Sequence, residues 1–139
     1  MFVLDTNVLS AIMAERPSPE VAAWIAGQPD NELFTTAISQ AEILSGLTVM
    51  PQGRRRSALE TAARAIFSYD FDGRVLTFDT AAATAYADIF AVRRRAGRPT
   101  APLDLMIAAV AIANSASVVT RDVSGFEGCG VEIIDPWNP

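Results

Sequence analysis

The runs FVL (2–4), VLTF (75–78) and SVVT (117–120) are short, apolar and separated by segments long enough for helices. This alternation constrains the fold more than any other feature. Strands this short and this apolar fit a sheet covered on both faces, and neighbouring parallel strands need a crossover, usually a helix. Leu33 to Thr36 reads as a further short strand, and Val131 to Ile134 as a fifth. A helix from about Asn7 to Ala14 follows the first strand, until Pro17 and Pro19 break it. Pro19-Glu20 opens an amphipathic helix through Val21, Trp24 and Ile25 that stops near Gly27 and Pro29. From Ala37 the chain is helical to just before Pro51, and Arg54 to Tyr69 makes another helix with Leu59, Ala63 and Ile66 on one side. Asp79 or Thr80 caps an alanine-rich helix that runs to Gly97, and Pro102 opens the last one, LDLMIAAVAIANS. The expectation is a single α/β domain over residues 1–139, a three-layer α/β/α sandwich around a mostly parallel sheet of four to five strands. Right-handed crossovers bring the carboxyl ends of all the strands to one edge, where such folds place their sites.

Composition then removes most catalytic chemistries. All 11 basic residues are arginine, so no lysine is available for a phosphate loop or a Schiff base. There is no histidine, which excludes histidine-dependent triads and nucleases, and the lone Cys129 can neither pair internally nor anchor a thiolate metal site. Carboxylates remain, and any metal must sit on oxygen. A net charge of -5 argues against a general nucleic-acid coat. Seven arginines nevertheless fall in two patches, Arg54, Arg55 and Arg56, then Arg93, Arg94, Arg95 and Arg98, which are either solvated helix faces or phosphate contacts. The apolar stretch Leu105–Ala113 is about half of what a membrane span needs, and no basic leader precedes an apolar segment, so the expectation is a cytoplasmic protein without membrane contact.

Four acids fall at the expected edge. Asp5 ends the first strand, Asp122 follows the fourth in VVTRD, and Asp104 lies in the first turn of the helix after Pro102, on a segment otherwise apolar nearly all round. Glu42 sits about five residues into its helix, roughly 8 Å from the edge at about 1.5 Å per residue. Its longer side chain and the tilt of helical side chains toward the N-terminus let it reach back. Each has an ordinary structural role open to it: Asp5 as a helix cap, Asp104 as a complement to the helix dipole, Asp122 in an Asx turn, Glu42 as a solvated helix residue. Together on one edge they repel one another, and a divalent cation would relieve that repulsion. Oxygen ligands favour Mg²⁺ or Mn²⁺, and such a site suits phosphodiester hydrolysis. Thr6, Asn7 and Thr120 are candidates to hold the acids by hydrogen bonds, or to shape turns and caps.

The stretches FVLDTNVLS, ISQAEILSG, PLDLMIAAVA and VVTRD resemble, in order and spacing, the acidic motifs of the PIN-domain ribonucleases, over essentially the whole chain. The ending IIDPW resembles toxins of the VapC and FitB type, the ribonuclease halves of type II toxin-antitoxin pairs. The resemblance implies an endoribonuclease dependent on Mg²⁺ or Mn²⁺, with Asp5, Glu42, Asp104 and Asp122 as its catalytic and metal-binding residues. It further implies RNA as substrate, a homodimer, an antitoxin that occludes the acidic site, and DNA contact only through that antitoxin. Two other classes compete. A haloacid-dehalogenase-like phosphatase also begins with a strand ending in aspartate, but places a second aspartate where this chain has Asn7. A non-catalytic module would use the acidic pocket only to capture an arginine from a partner.

Overall fold

The computed structural model describes residues 1–139. Its five strands are β1 (Phe2–Leu4), β2 (Leu33–Thr36), β3 (Val75–Leu76), β4 (Ser117–Val119) and β5 (Ile133–Ile134). They form one sheet in the order β3-β2-β1-β4-β5, with every neighbouring pair parallel. The chain winds outward from β1 to one side through β2 and β3, then returns to the other side at β4. The crevice between the carboxyl ends of β1 and β4 is therefore the topological switch point, the place where open α/β sheets bind their ligands. Register sets Leu4 opposite Val119, so Asp5 and Thr120 leave the sheet side by side, and Asp5 N still donates to Val119 O at 2.9 Å.

Helices α1 (Thr6–Met13), α2 (Pro19–Ala26), α3 (Ala37–Thr48), α4 (Arg54–Ala65), α5 (Thr80–Arg95), α6 (Pro102–Ala113) and α7 (Val123–Phe126) cover the sheet. Successive strand residues point to opposite faces, and the two cores divide accordingly. Val3 and Val118 join Ala82, Ile89 and the buried residues of α6 in one apolar layer. Leu4 and Val119 join Val8, Leu9, Val21, Ala63 and Phe67 in the other. The three-layer sandwich and its parallel sheet are thus as expected. No helix is long and apolar enough to cross a membrane.

Several boundaries differ from expectation. The helix expected to run to Tyr69 is α-helical only to Ala65, then widens into a π-type turn over Ile66–Asp70 in which Phe71 N donates to Ile66 O at 2.8 Å. Strand β3 stops at Leu76 rather than Phe78, because its only partner, β2, ends at Thr36 and turns into the cap of α3. The fifth strand is only Ile133–Ile134, the two residues that find partners on β4. The four-residue α7, starting directly after Asp122, was not expected.

Candidate active site

The first acid is held where β1 gives way to α1. Asp5 is only 5% exposed. Its Oδ1 accepts from Thr6 N (2.7 Å) and its Oδ2 accepts from the Thr120 hydroxyl (2.8 Å). Thr120, wholly buried just past β4, is the hub of the crevice: its Oγ1 also accepts from Asp122 N (3.0 Å) and Asn7 Nδ2 (3.1 Å). One hydroxyl thereby fixes the loop after β1 to the loop after β4. On the other side of Asp5, Thr6 Oγ1 donates to Glu42 Oε1 at 2.8 Å and lies 3.0 Å from Ser39 Oγ. Glu42 therefore does reach back to the edge from within α3.

Asp104 and Asp122 meet around Gly125. A methyl group in place of a Gly125 hydrogen would sit 2.6 Å from Asp122 Oδ2 and 3.3 Å from Asp104 Oδ2, so the bare glycine leaves room for both carboxylates. Asp122 also caps α7, accepting from Gly125 N (3.3 Å) and from the Ser124 hydroxyl (3.2 Å). The capping reading of Asp5 holds, Asp122 caps a helix rather than sitting in an Asx turn, and both residues are electrostatically coupled to other acids of the four.

The electrostatics link all four. Burial raises the pKa of Asp5 to about 6, against the hydrogen bonds from Thr120 and Thr6 that lower it, and the charges of Asp104 and Glu42 add to the rise. Asp104 is also raised, first by burial, then by the charges of Asp122 and Glu42, with Arg93 acting in the opposite sense. None of the four forms an ion pair: the salt bridges in the chain join the Met1 amine to Glu32, Arg56 to Glu60 and Arg98 to Glu127. As placed, no three of the side chains are grouped closely enough to hold a metal ion together. What the edge presents is a set of electrostatically linked carboxylates without an ion-pair partner.

With that geometry in place, comparison with known proteins is direct: the PIN domain family matches residues 2–127. The chain belongs to the PIN-domain family. Among PIN-domain relatives, the VapC ribonuclease Y4jK of Sinorhizobium fredii is 41% identical over 139 residues, covering 100% of this chain and 99% of that one. Toxin FitB of Neisseria gonorrhoeae is 32% identical over 138 residues, covering 99% of each chain. The crystal structure of FitAcB from Neisseria gonorrhoeae matches with a TM-score of 0.90 at 33% identity, over 100% of both chains.

The arginine patches of this PIN domain divide on folding. Arg93 is 3% exposed and spends its guanidinium on backbone carbonyls: Nε donates to Pro99 O (2.9 Å), and Nη1 to Glu127 O (2.7 Å) and Ser124 O (3.3 Å). It straps the loop that leads to Asp104 onto α7, whose N-cap is Asp122. Arg56 and Arg98 pair with acids, whereas Arg54, Arg55, Arg94 and Arg95 remain exposed. Beside Glu42 an open, mainly apolar groove of about 600 Å³ runs between α3 and α6, lined by Ile38, Phe78, Leu103 and Met106 among others. Sequence reasoning named Thr6, Asn7 and Thr120 and missed Ser39 and Gly125; it read Arg93 as a solvated or phosphate-contacting charge, whereas the residue is buried on backbone carbonyls. A glycine three residues after Asp122, in DVSGF, was the one local sign of a crowded carboxylate.

Proposed function

We propose that this PIN domain, residues 1–139 acting as one unit, is the ribonuclease toxin of a type II toxin-antitoxin pair. It hydrolyses RNA phosphodiester bonds, with Asp5, Glu42, Asp104 and Asp122 as the catalytic and metal-binding residues. The observation that carries this reading is the gathering of four carboxylates, two of them with raised pKa and none ion-paired, at the β1/β4 switch point. The donor chemistry fits Mg²⁺ or Mn²⁺: the acids offer only oxygen, and Mg²⁺ binds through one or two carboxylates while keeping several waters, so it needs no set of three ligands already gathered. When bound, such an ion neutralises the acids, stabilises charge on a phosphoryl oxygen and lowers the pKa of water.

The protein's own residues supply placement. Asp5 and Asp104 would hold the metal ion directly, Asp5 being oriented by Thr6 and Thr120. Glu42, held by Thr6, completes the shell or supports a second ion. Asp122, the one exposed carboxylate of the four, orients the attacking water and receives its proton. In-line attack by that water breaks the bond between phosphorus and the 3′ oxygen, which takes a proton from solvent, leaving a 5′-phosphate and a 3′-hydroxyl. Arg94 and Arg95, next to the strap that Arg93 makes onto α7, offset the net charge of -5 along the path of the RNA. Membership of the PIN-domain family supports this reading over a phosphatase. Relatives' structures support the partners, since FitAB is found bound to a DNA fragment and VapBC-5 of Mycobacterium tuberculosis is a member of a family of toxin-antitoxin systems; we assign this chain an antitoxin that occludes the acids and provides the DNA contact. A second copy of the chain fits the half-exposed Leu44 and Leu103 on α3 and α6.

The test is cleavage mapping on total RNA with Mn²⁺, comparing wild type with Asp5→Asn and Asp104→Asn, alongside Mn²⁺ titration. Loss of cleavage by about 100-fold or more in each folded variant is expected, a scale typical of removing a group that acts in the transition state. Undiminished cleavage by either variant would sink the assignment. Failure of the wild type to bind Mn²⁺ or cleave RNA would favour the arginine-capturing module.

A further inference from the structure

Two features stand outside the site described so far: the closing segment IIDPW, and the arginine between Thr120 and Asp122. In the fold they meet. The Arg121 guanidinium carbon lies 5.0 Å above the centroid of the Trp137 ring. The tail is built to hold that ring. Asp135 Oδ1 accepts from Trp137 N (3.0 Å), Asp135 Oδ2 accepts from Asn138 Nδ2 (3.1 Å), Pro136 is buried, and Trp137 packs on the apolar layer containing Leu4 and Val119. The arginine is fixed at its backbone as well, because Arg121 N donates to Asn7 Oδ1 at 3.2 Å. Yet the residue is exposed and has no carboxylate partner.

We infer that Arg121, propped on Trp137, is a substrate-binding residue that grips a phosphate of the RNA strand entering the carboxylate cluster. The inference rests on the ribonuclease reading and assigns a contact within it. A free surface arginine samples many rotamers, whereas stacking on an indole fixes the plane of the guanidinium and leaves its N–H edge open, the geometry that suits a bidentate phosphate contact. Its position favours RNA: the residue directly precedes Asp122 and is tied through Asn7 to the first turn after Asp5. A strand crossing four acids needs a fixed cation there. If the pair served only to pin the C-terminal tail, replacing Arg121 would change unfolding and leave RNA binding alone.

The experiment measures the Kd of a short single-stranded RNA across a salt series, in an Asp5→Asn background and with Arg121→Gln, Arg121→Lys or Trp137→Leu added. Urea unfolding is followed in parallel. Arg121→Gln is expected to weaken binding about 5- to 20-fold near physiological salt and to reduce the slope of log K against log salt by about 0.7, the value for one phosphate contact on a single strand. Arg121→Lys should restore the slope but only part of the affinity. Trp137→Leu should lower affinity about threefold with the slope kept. An unchanged Kd and slope in Arg121→Gln overturns the inference, while cleavage by the wild type keeps the ribonuclease reading intact. RNA bound through Arg121 without wild-type cleavage overturns the ribonuclease reading alone, and absence of RNA binding overturns both.

Discussion

Replacing Asp5 by asparagine should stabilise the metal-free protein at pH 8 while removing its activity. Burial and the neighbouring acids lift the Asp5 pKa from 3.8 to about 6. At about 1.36 kcal/mol per unit, holding this carboxylate ionised in the fold costs roughly 3 kcal/mol at pH values well above that window. The sign follows from proton binding. Between pH 3.8 and about 6 the folded chain holds a proton at Asp5 that the unfolded chain has released, so Asp5 makes stability fall as pH rises through that range. Near pH 4 the cost has nearly vanished. The asparagine removes the charge but loses one hydrogen bond. Its amide nitrogen faces either Thr6 N or Thr120 Oγ1, and that oxygen already accepts from Asp122 N and Asn7 Nδ2. A lost hydrogen bond costs about 1 kcal/mol, which leaves a net gain of about 1–2 kcal/mol at pH 8 and a small loss near pH 4.

Urea unfolding in EDTA at both pH values, comparing variant with wild type, isolates Asp5 because every other titrating group is common to both. Saturating Mn²⁺ should then reverse the order. The wild type gains stability as RT ln(1 + [L]/Kd), about 2.7 kcal/mol at a hundredfold excess over Kd, and the variant gains little. A variant less stable than wild type at pH 8, or a gain of equal size at both pH values, would refute the reasoning. So would equal stabilisation of the two proteins by Mn²⁺.

Gly125→Ala should push the Asp122 carboxylate away from Asp104, given the 2.6 Å approach of a built Cβ to Asp122 Oδ2. Mn²⁺ affinity and RNA cleavage are expected to fall at least tenfold with unfolding free energy changed by less than about 1 kcal/mol, since alanine is favoured over glycine in a helix. Arg93→Met should cost about 2–4 kcal/mol in urea unfolding, because it leaves the carbonyls of Pro99, Ser124 and Glu127 without their buried donor. A loss below about 1 kcal/mol would show that the strap carries no weight.

What the sequence disclosed was local chemistry along each segment; what it withheld was which segments become neighbours. Strand β1 and the acid that ends it were legible because three apolar residues and a carboxylate are a complete signal in themselves. Asp104 was legible because a lone charge on an apolar helix start has few places to go. Thr120 could be named as a candidate but not as the hub, since two of its hydroxyl's three hydrogen-bond partners, Asp5 and Asn7, arise only when β4 lies against β1, and no pattern within SVVT states its neighbour. Arg93 was hidden for a different reason. In the run RRRAGR every arginine reads as solvated charge or as a phosphate contact, and only the carbonyls of Pro99, Ser124 and Glu127, which the fold brings beside α5, turn one of them inward. The short helix α7 has too few residues to show periodicity at all.

The capping role of Asp5 is real, and it does not account for the residue. A carboxylate kept only to cap a helix is stabilised by the donors it accepts, which lowers its pKa. Asp5 accepts strong hydrogen bonds from Thr6 N and Thr120, and its pKa is still raised, because the fold buries it and sets Asp104 and Glu42 beside it. A carboxylate has about four lone-pair sites, and its three donors, Asn7 Nδ2 at 3.4 Å from Oδ2 being the third, do not fill them all. A serine or an asparagine could cap α1 without that electrostatic cost. The cost acquires a purpose only when a cation enters among the acids, and the gain in stability expected of Asp5→Asn without metal, reversed with it, is the measurable form of that trade.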